Sequence, residues 1–282
     1  MMKTGARNGF TIANIATYAI LTLLSIFCIG PVLWMFLTSF KLEADIVTQN
    51  MQYVPTRITF QNYAAIWDQS GFPVLIGNST VVTLLTVTIC LVTGTLAAYA
   101  FSRFSFPVRN QLLLGYLMVR MFPAVMMIIP LYVVMRSVGL IDSRVGLAIA
   151  YTSILLPMFV WMLKGFFDAA PRELESAARI DGSTRLGAMV RIVIPLARNG
   201  IVASAVFVGI AAWNEFLFAL MLTTGQGSRT WPVGLQLMVG EFQLPWGVLA
   251  AGGILSILPV IVLFAIVQRT MVHGLTAGAV KG

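Results

Sequence analysis

Six long apolar runs decide what this chain can become. They cover Ala13–Ser39, Val74–Phe101, Leu112–Met135, Val145–Phe167, Gly200–Leu222 and Val248–Met271. Each has the ~20 residues that a spanning helix needs. Hydrocarbon offers no partner for a backbone N–H or C=O, so such runs must close their hydrogen bonds internally. The predicted fold class is therefore all-α: a polytopic membrane protein of six transmembrane helices. Composition agrees, because 59% of residues are hydrophobic and only 10% charged, against roughly a quarter charged in soluble domains. A large soluble helical core would need polar helix faces, which are mostly missing. The first run is too long for the core of a signal peptide and reads as a retained anchor.

Charge sets the orientation. With the N-terminus in the cytoplasm, twelve of the 18 Lys and Arg residues fall on inner segments and five on outer ones, with Arg120 inside a span. That bias places both termini in the cytoplasm. It also accounts for the net charge of +8 without nucleic acid, since no basic run interleaved with aromatics occurs. The resulting layout is a cytoplasmic tail at 1–12, one transmembrane domain at 13–271 and a cytoplasmic tail at 272–282. Residues 40–73 form an outer loop, in which Tyr63 and Trp67 share one face of a short interfacial helix. Cys28, Cys90 and His273 are too few and scattered for a disulfide framework or a His/Cys metal centre.

The longest inner loop, 168–198, contains "PRELESAARIDG", Pro171 to Gly182. Proline suits a first helical turn and glycine the residue past the last. Glu175 and Arg179 are spaced i, i+4 in the favourable order. Leu174, Ala177 and Ala178 share a face. A helix this short is unstable alone in water and must pack on something. One alternative is a connector lying on lipid headgroups. Two alanines make a poor lipid anchor, however, and a good surface for close docking into another protein.

"ELESAARIDG" followed by "IVIPL" resembles the cytoplasmic loop of ABC-importer permeases. "MFPAVMMIIPLY", "GFFDAAPRELE", "WNEFLFAL" and "GLTAGAVKG" are similar to the carbohydrate branch, the maltose type. The resemblance implies a type I importer permease in a bacterial inner membrane. Its partners would be a second homologous permease in a heterodimer, two cytoplasmic ATPase subunits and an extracytoplasmic solute-binding protein, with a sugar-like solute. Residues 171–182 would be the coupling helix, with Glu173, Glu175, Ser176, Ala177, Ala178, Asp181 and Gly182 facing the ATPase. The family usually carries glutamate where this chain has Ser176. The chain's own lysines, Lys3, Lys41, Lys164 and Lys281, never follow a glycine, so no P-loop exists here. ATP and Mg would then be bound by the partner ATPases, and the chain itself would be no enzyme and hold no cofactor.

Two ionisable residues fall inside spans, Arg120 and Glu215. Such residues are functional candidates by default and otherwise buried pairs. Arg120 suits an anionic or polar solute in the pathway, since a planar guanidinium matches carboxylate, sulfonate or phosphate. Trp213, Asn214 and Glu215 offer a stacking ring, an amide and an acid. Asn78 is a weaker candidate. Prolines 123, 130, 157 and 259 predict kinks. The competing function is an ATP-independent transporter or channel, which calls for inverted repeats or several midplane carboxylates. A membrane-embedded enzyme would need paired acids or a nucleophile motif, and the spans hold neither.

Overall fold

The computed structural model describes residues 12–48, 52–69, 71–239 and 244–279, without the side chains of 12, 13, 69, 266 and 269–279. The N-terminal tail and the tip of the C-terminal tail lie outside these residues. The chain divides into two compact units, Met1–Ile66 with Gly240–Leu255, and Trp67–Val239 with Ser256–Gly282.

In the first unit, α1 (Ile12–Ser39) has no residue buried in its span window. The loop that follows it is firmly built. Asn62, on α2 (Gln61–Gln69), donates to the carbonyls of Ser39 and Lys41 at 2.9 Å each. Tyr63 meets the Ser39 hydroxyl at 2.9 Å. Lys41 is only 3% exposed. Its ammonium donates to the Gln52 carbonyl and lies 4.4 Å from the Trp34 ring centre, which compensates the burial of the charge. Glu43 accepts from the Trp246 and Gly247 amides at 2.7 and 2.9 Å, satisfying two free donors at the start of α12 (Trp246–Ala279). The helix of α12 continues to Ala279, through most of the stretch predicted as a separate tail.

The second unit is built around α6 (Arg144–Ala169), introduced after α3 (Phe72–Arg103), α4 (Arg109–Met121) and α5 (Ala124–Ser137). Leu147, Tyr151, Phe159, Val160, Leu163 and Phe167 on α6 are at most 1% exposed. An apolar helix of this kind is buried rather than amphipathic. α3 widens into one π turn at Cys90–Gly94. There a Cβ on Gly94 would stand 2.4 Å from the Phe159 ring, so glycine permits the close approach of the two helices.

Two of the six predicted spans are broken. α4 and α5 meet at 102°. The cause is Pro123, which drives Phe122 to extended backbone, φ −71° and ψ 132°. Before the predicted fifth span, at the end of the predicted inner loop, α8 (Arg185–Leu196) meets α9 (Arg198–Trp213) at 80°. The fifth span was expected to run unbroken over Gly200–Leu222. Instead it stops at Trp213 and resumes as α10 (Leu217–Leu222), which α11 (Trp231–Leu237) follows before α12. Among the described residues, four helices are long and apolar enough to cross a membrane alone, or up to six if each bent pair is one span.

Candidate functional site

The charged segment forms α7 (Arg172–Ile180), with Pro171 as its entry. Its end follows from the sequence. Gly182 has φ +90°, Ser183 N–H bonds the Ala178 carbonyl at 2.9 Å, and Gly182 N–H bonds that of Arg179 at 3.2 Å. This is the paired closure that glycine at this position allows.

At 100° per residue, Leu174, Ala177, Ala178 and Asp181 fall on one side of α7. Arg172, Glu175, Ser176 and Arg179 fall on the other. The structure uses the two sides unexpectedly. Glu175 is the buried residue of the helix, while Leu174 is 46% exposed. Leu174, Ala177 and Asp181 are exposed and Ala178 half-buried, while on the charged side Glu175 alone is held in and Arg172, Ser176 and Arg179 are exposed.

Glu175 does not pair with Arg179 as its spacing suggested. Tyr99 donates its hydroxyl proton to Oε1 of Glu175, and Arg103 Nε sits 2.9 Å from Oε2. The Nε–H does not point along that line, so the contact is an ion pair rather than a hydrogen bond. The two side chains are 6% and 12% exposed, and a desolvated pair of this kind is strongly interdependent. Arg103 also donates to the Ala170 carbonyl at 3.0 Å, and Arg172 to that of Ser102 at 2.9 Å. Ser102 donates to Asp168 at 2.7 Å, which also takes Lys164 at 2.5 Å. The ends of α3 and α6 are thus clamped together, with α7 clamped to α3. A cavity of about 130 Å³ remains beside Glu175, walled by Arg103, Arg172, Arg179 and Arg185. Arg185 lies over the Phe104 ring at 4.8 Å.

The sequence singled out α7 but not Tyr99 or Arg103, which hold it. Their only signal is that Arg103 ends a span on the side predicted for the charged loop.

The other candidates are dispersed. Glu215 sits at the helix break, where its oxygens accept from the Phe218 and Ala219 amides at 3.0 and 3.2 Å. It therefore caps α10, and no ion pair joins it to Arg120 among the described residues. Trp213 is 5% exposed and donates to the Ser256 carbonyl. Asn78 is 2% exposed and donates to the carbonyls of Gln226 and Arg229 at 3.0 and 2.8 Å. Asn214 and Arg120 are exposed, the latter in the last turn of α4. At the far end of α6, Asp142 accepts from Thr224 N–H and Gly225 N–H at 2.8 Å each and from the Ser228 hydroxyl. The Ser228 bond first, then the two amides, lower its pKa to about 2.

The chain belongs to the family of binding-protein-dependent transport system inner membrane components, which matches residues 90–275. It is 39% identical over 274 residues to the trehalose transport system permease protein SugB of Mycobacterium tuberculosis, covering 96% of this chain and 99% of that one. It is 38% identical over 252 residues to the sulfoquinovosyl glycerol transport system permease protein SmoH of Agrobacterium fabrum, covering 89% and 88%. In fold it is similar to a chain of a bacterial ABC transporter that imports the acidic polysaccharide alginate, with TM-score 0.80 and 23% identity over 95% of this chain and 99% of that one.

Proposed function

We propose that this chain is the permease subunit of an ATP-driven importer for a sugar or sugar derivative. It forms half of the translocation pathway beside a second, homologous permease. It performs no covalent chemistry, and ATP and Mg are bound by two separate ATPase subunits at the cytoplasmic face. A solute-binding protein delivers the solute from outside, and both termini of the chain lie in the cytoplasm. α7 is the coupling helix, with Ala177, Ala178, Asp181 and Gly182 against the ATPase. Glu175 anchors it to the spans, while Glu173 and Ser176 flank the contact.

One observation carries this reading: α7 is fixed to the end of α3 by a buried ion pair, and the end of α3 is itself tied to that of α6, while Leu174, Ala177 and Asp181 stay exposed. A helix held that way passes a push from its exposed side to α3 and, through α3, to α6. The relatives' solutes, trehalose and sulfoquinovosyl glycerol, favour a sugar. Arg120, charged and exposed at a span break, suits an acidic group on it. Asn214 lies at the other break, which Glu215 caps and Trp213 ties to Ser256, while Asn78 holds the loop at Gln226 and Arg229.

Purification in mild detergent from the native membrane is the direct test. An ATPase subunit should accompany the wild-type chain, and its absence under conditions that keep the chain folded would sink the reading. Arg120→Ala should abolish most uptake with the ATPase still bound, and normal uptake would remove Arg120 from the pathway.

A further inference from the structure

The cavity beside Glu175 has more positive charge than its clamp uses. Four guanidinium groups line it against one carboxylate, a formal excess of three positive charges. Glu175 is already committed to Tyr99 and Arg103. Arg103 is 94% buried in its side chain, by the 6% exposure, yet its Nη1 has no hydrogen-bond partner among the described residues. A buried guanidinium nitrogen without a partner is rare in native proteins and points to a group from outside the chain. A volume of about 130 Å³ exceeds the ~10–15 Å³ that a single water requires, so a group of several heavy atoms fits.

We infer that this cavity binds the phosphate group of an anionic lipid headgroup or of free phosphate. Guanidinium forks match phosphate oxygens in pairs, and Arg172, Arg179 and Arg185 stand exposed on the cavity wall while Glu175 keeps its own partners. Position favours the lipid source. Arg103 is the last residue of α3, and α7 begins three residues after α6 ends. The cavity is therefore at span ends, and basic pockets at the ends of spanning helices take acidic lipids. Phe104, against which Arg185 stacks, is partly exposed at 37%. The inference does not depend on the solute or on the ATPase.

The test uses the full-length protein with whatever subunits copurify, and it substitutes exposed cavity arginines, Arg179→Gln and Arg185→Gln, so the Arg103–Glu175 pair stays intact. One arm equilibrates the protein with phosphatidylglycerol or phosphatidylcholine nanodiscs and counts retained lipid by native mass spectrometry. The other titrates inorganic phosphate into delipidated protein and follows the unfolding temperature. Selective retention of phosphatidylglycerol, weakened roughly tenfold by either substitution through loss of a charged hydrogen bond, establishes the lipid source. A phosphate-dependent rise in unfolding temperature, lost in the same variants without an effect on lipid, establishes free phosphate. If neither readout differs between wild type and variants, the inference fails. It fails also if the substitutions weaken only ATPase association, because the cavity then takes a protein carboxylate.

Discussion

The two ends of α6 each carry an acid that holds a distant segment, and they do it in opposite ways. The helix has 26 residues, so its ends are about 39 Å apart at 1.5 Å per residue. Before its start, Asp142 gathers two amides and one hydroxyl from residues 224–228. Beyond its end, Glu175 is shared between a phenol and a guanidinium. The Asp142 latch is electrically simple: one charge, neutral donors, exposed to solvent. The Glu175 clamp is buried and surrounded by four arginines. A loop that only needs holding is held by neutral donors. The helix proposed to transmit force is held by opposite charges out of water, where removal of either partner is costly.

That contrast ranks the expected effects. Glu175→Ala strands Arg103 in a site with 6% side-chain exposure, and breaking a buried pair from one side costs about 3–5 kcal/mol. Denaturant unfolding in detergent should show the loss. Replacing both partners, Arg103→Met with Glu175→Met, should restore much of the stability, because buried pairs exchange well for apolar side chains. A double variant as unstable as the single one would show that the clamp stabilises through more than this pair.

Asp142→Ala should be milder, about 1–2 kcal/mol for a capping acid that accepts backbone amides. Its pH signature separates it from the clamp. The folded-state pKa is about 2, below the ordinary value of 3.8. The lowered value means the ionised form is favoured by folding. Its contribution is therefore fully present above about pH 4 and fades as the pH falls toward about 2. Asp142→Asn should flatten that part of the stability curve. A wild-type curve already flat between pH 4 and 2 would contradict the latch. Asp142 also has φ +57°, a left-handed conformation that aspartate tolerates better than most residues, so Asn is the fair replacement and Ala adds strain.

Much of this fold was legible because lipid solvent leaves few choices. Runs long enough to cross become helices, and Pro171 and Gly182 set the ends of α7 to within a residue. The breaks were harder. Pro123 and Pro130 both lie in one apolar run, yet only Pro123 splits it; Pro130 is carried inside α5. Periodicity contains no term for which proline neighbouring helices will support. The clamp was not legible at all. Glu175 had a ready partner in Arg179 on its own helix, and the choice of Arg103 depends on α3 and α6 ending together, a tertiary fact. Glu215 looked like an intramembrane charge because the break at Asn214 is invisible in an apolar run. Once the helix stops there, the acid has amides to cap.

The smallest expected effect on stability is on the open side of α7, and it divides the clamp from the contact it serves. Ala177 is exposed, so Ala177→Glu should change unfolding by no more than about 0.5 kcal/mol, the range of ordinary surface substitutions. A bulky charge on a side built for close approach should still expel the ATPase, because a docked groove has no space or counter-charge for it. The expected result is a chain that unfolds like wild type, purifies without its ATPase and transports nothing. Glu175→Ala is expected to lose stability first and function as a consequence. If Ala177→Glu retains both the ATPase and transport, the outward side of α7 is not the docking side, and the force must enter through the arginine side instead.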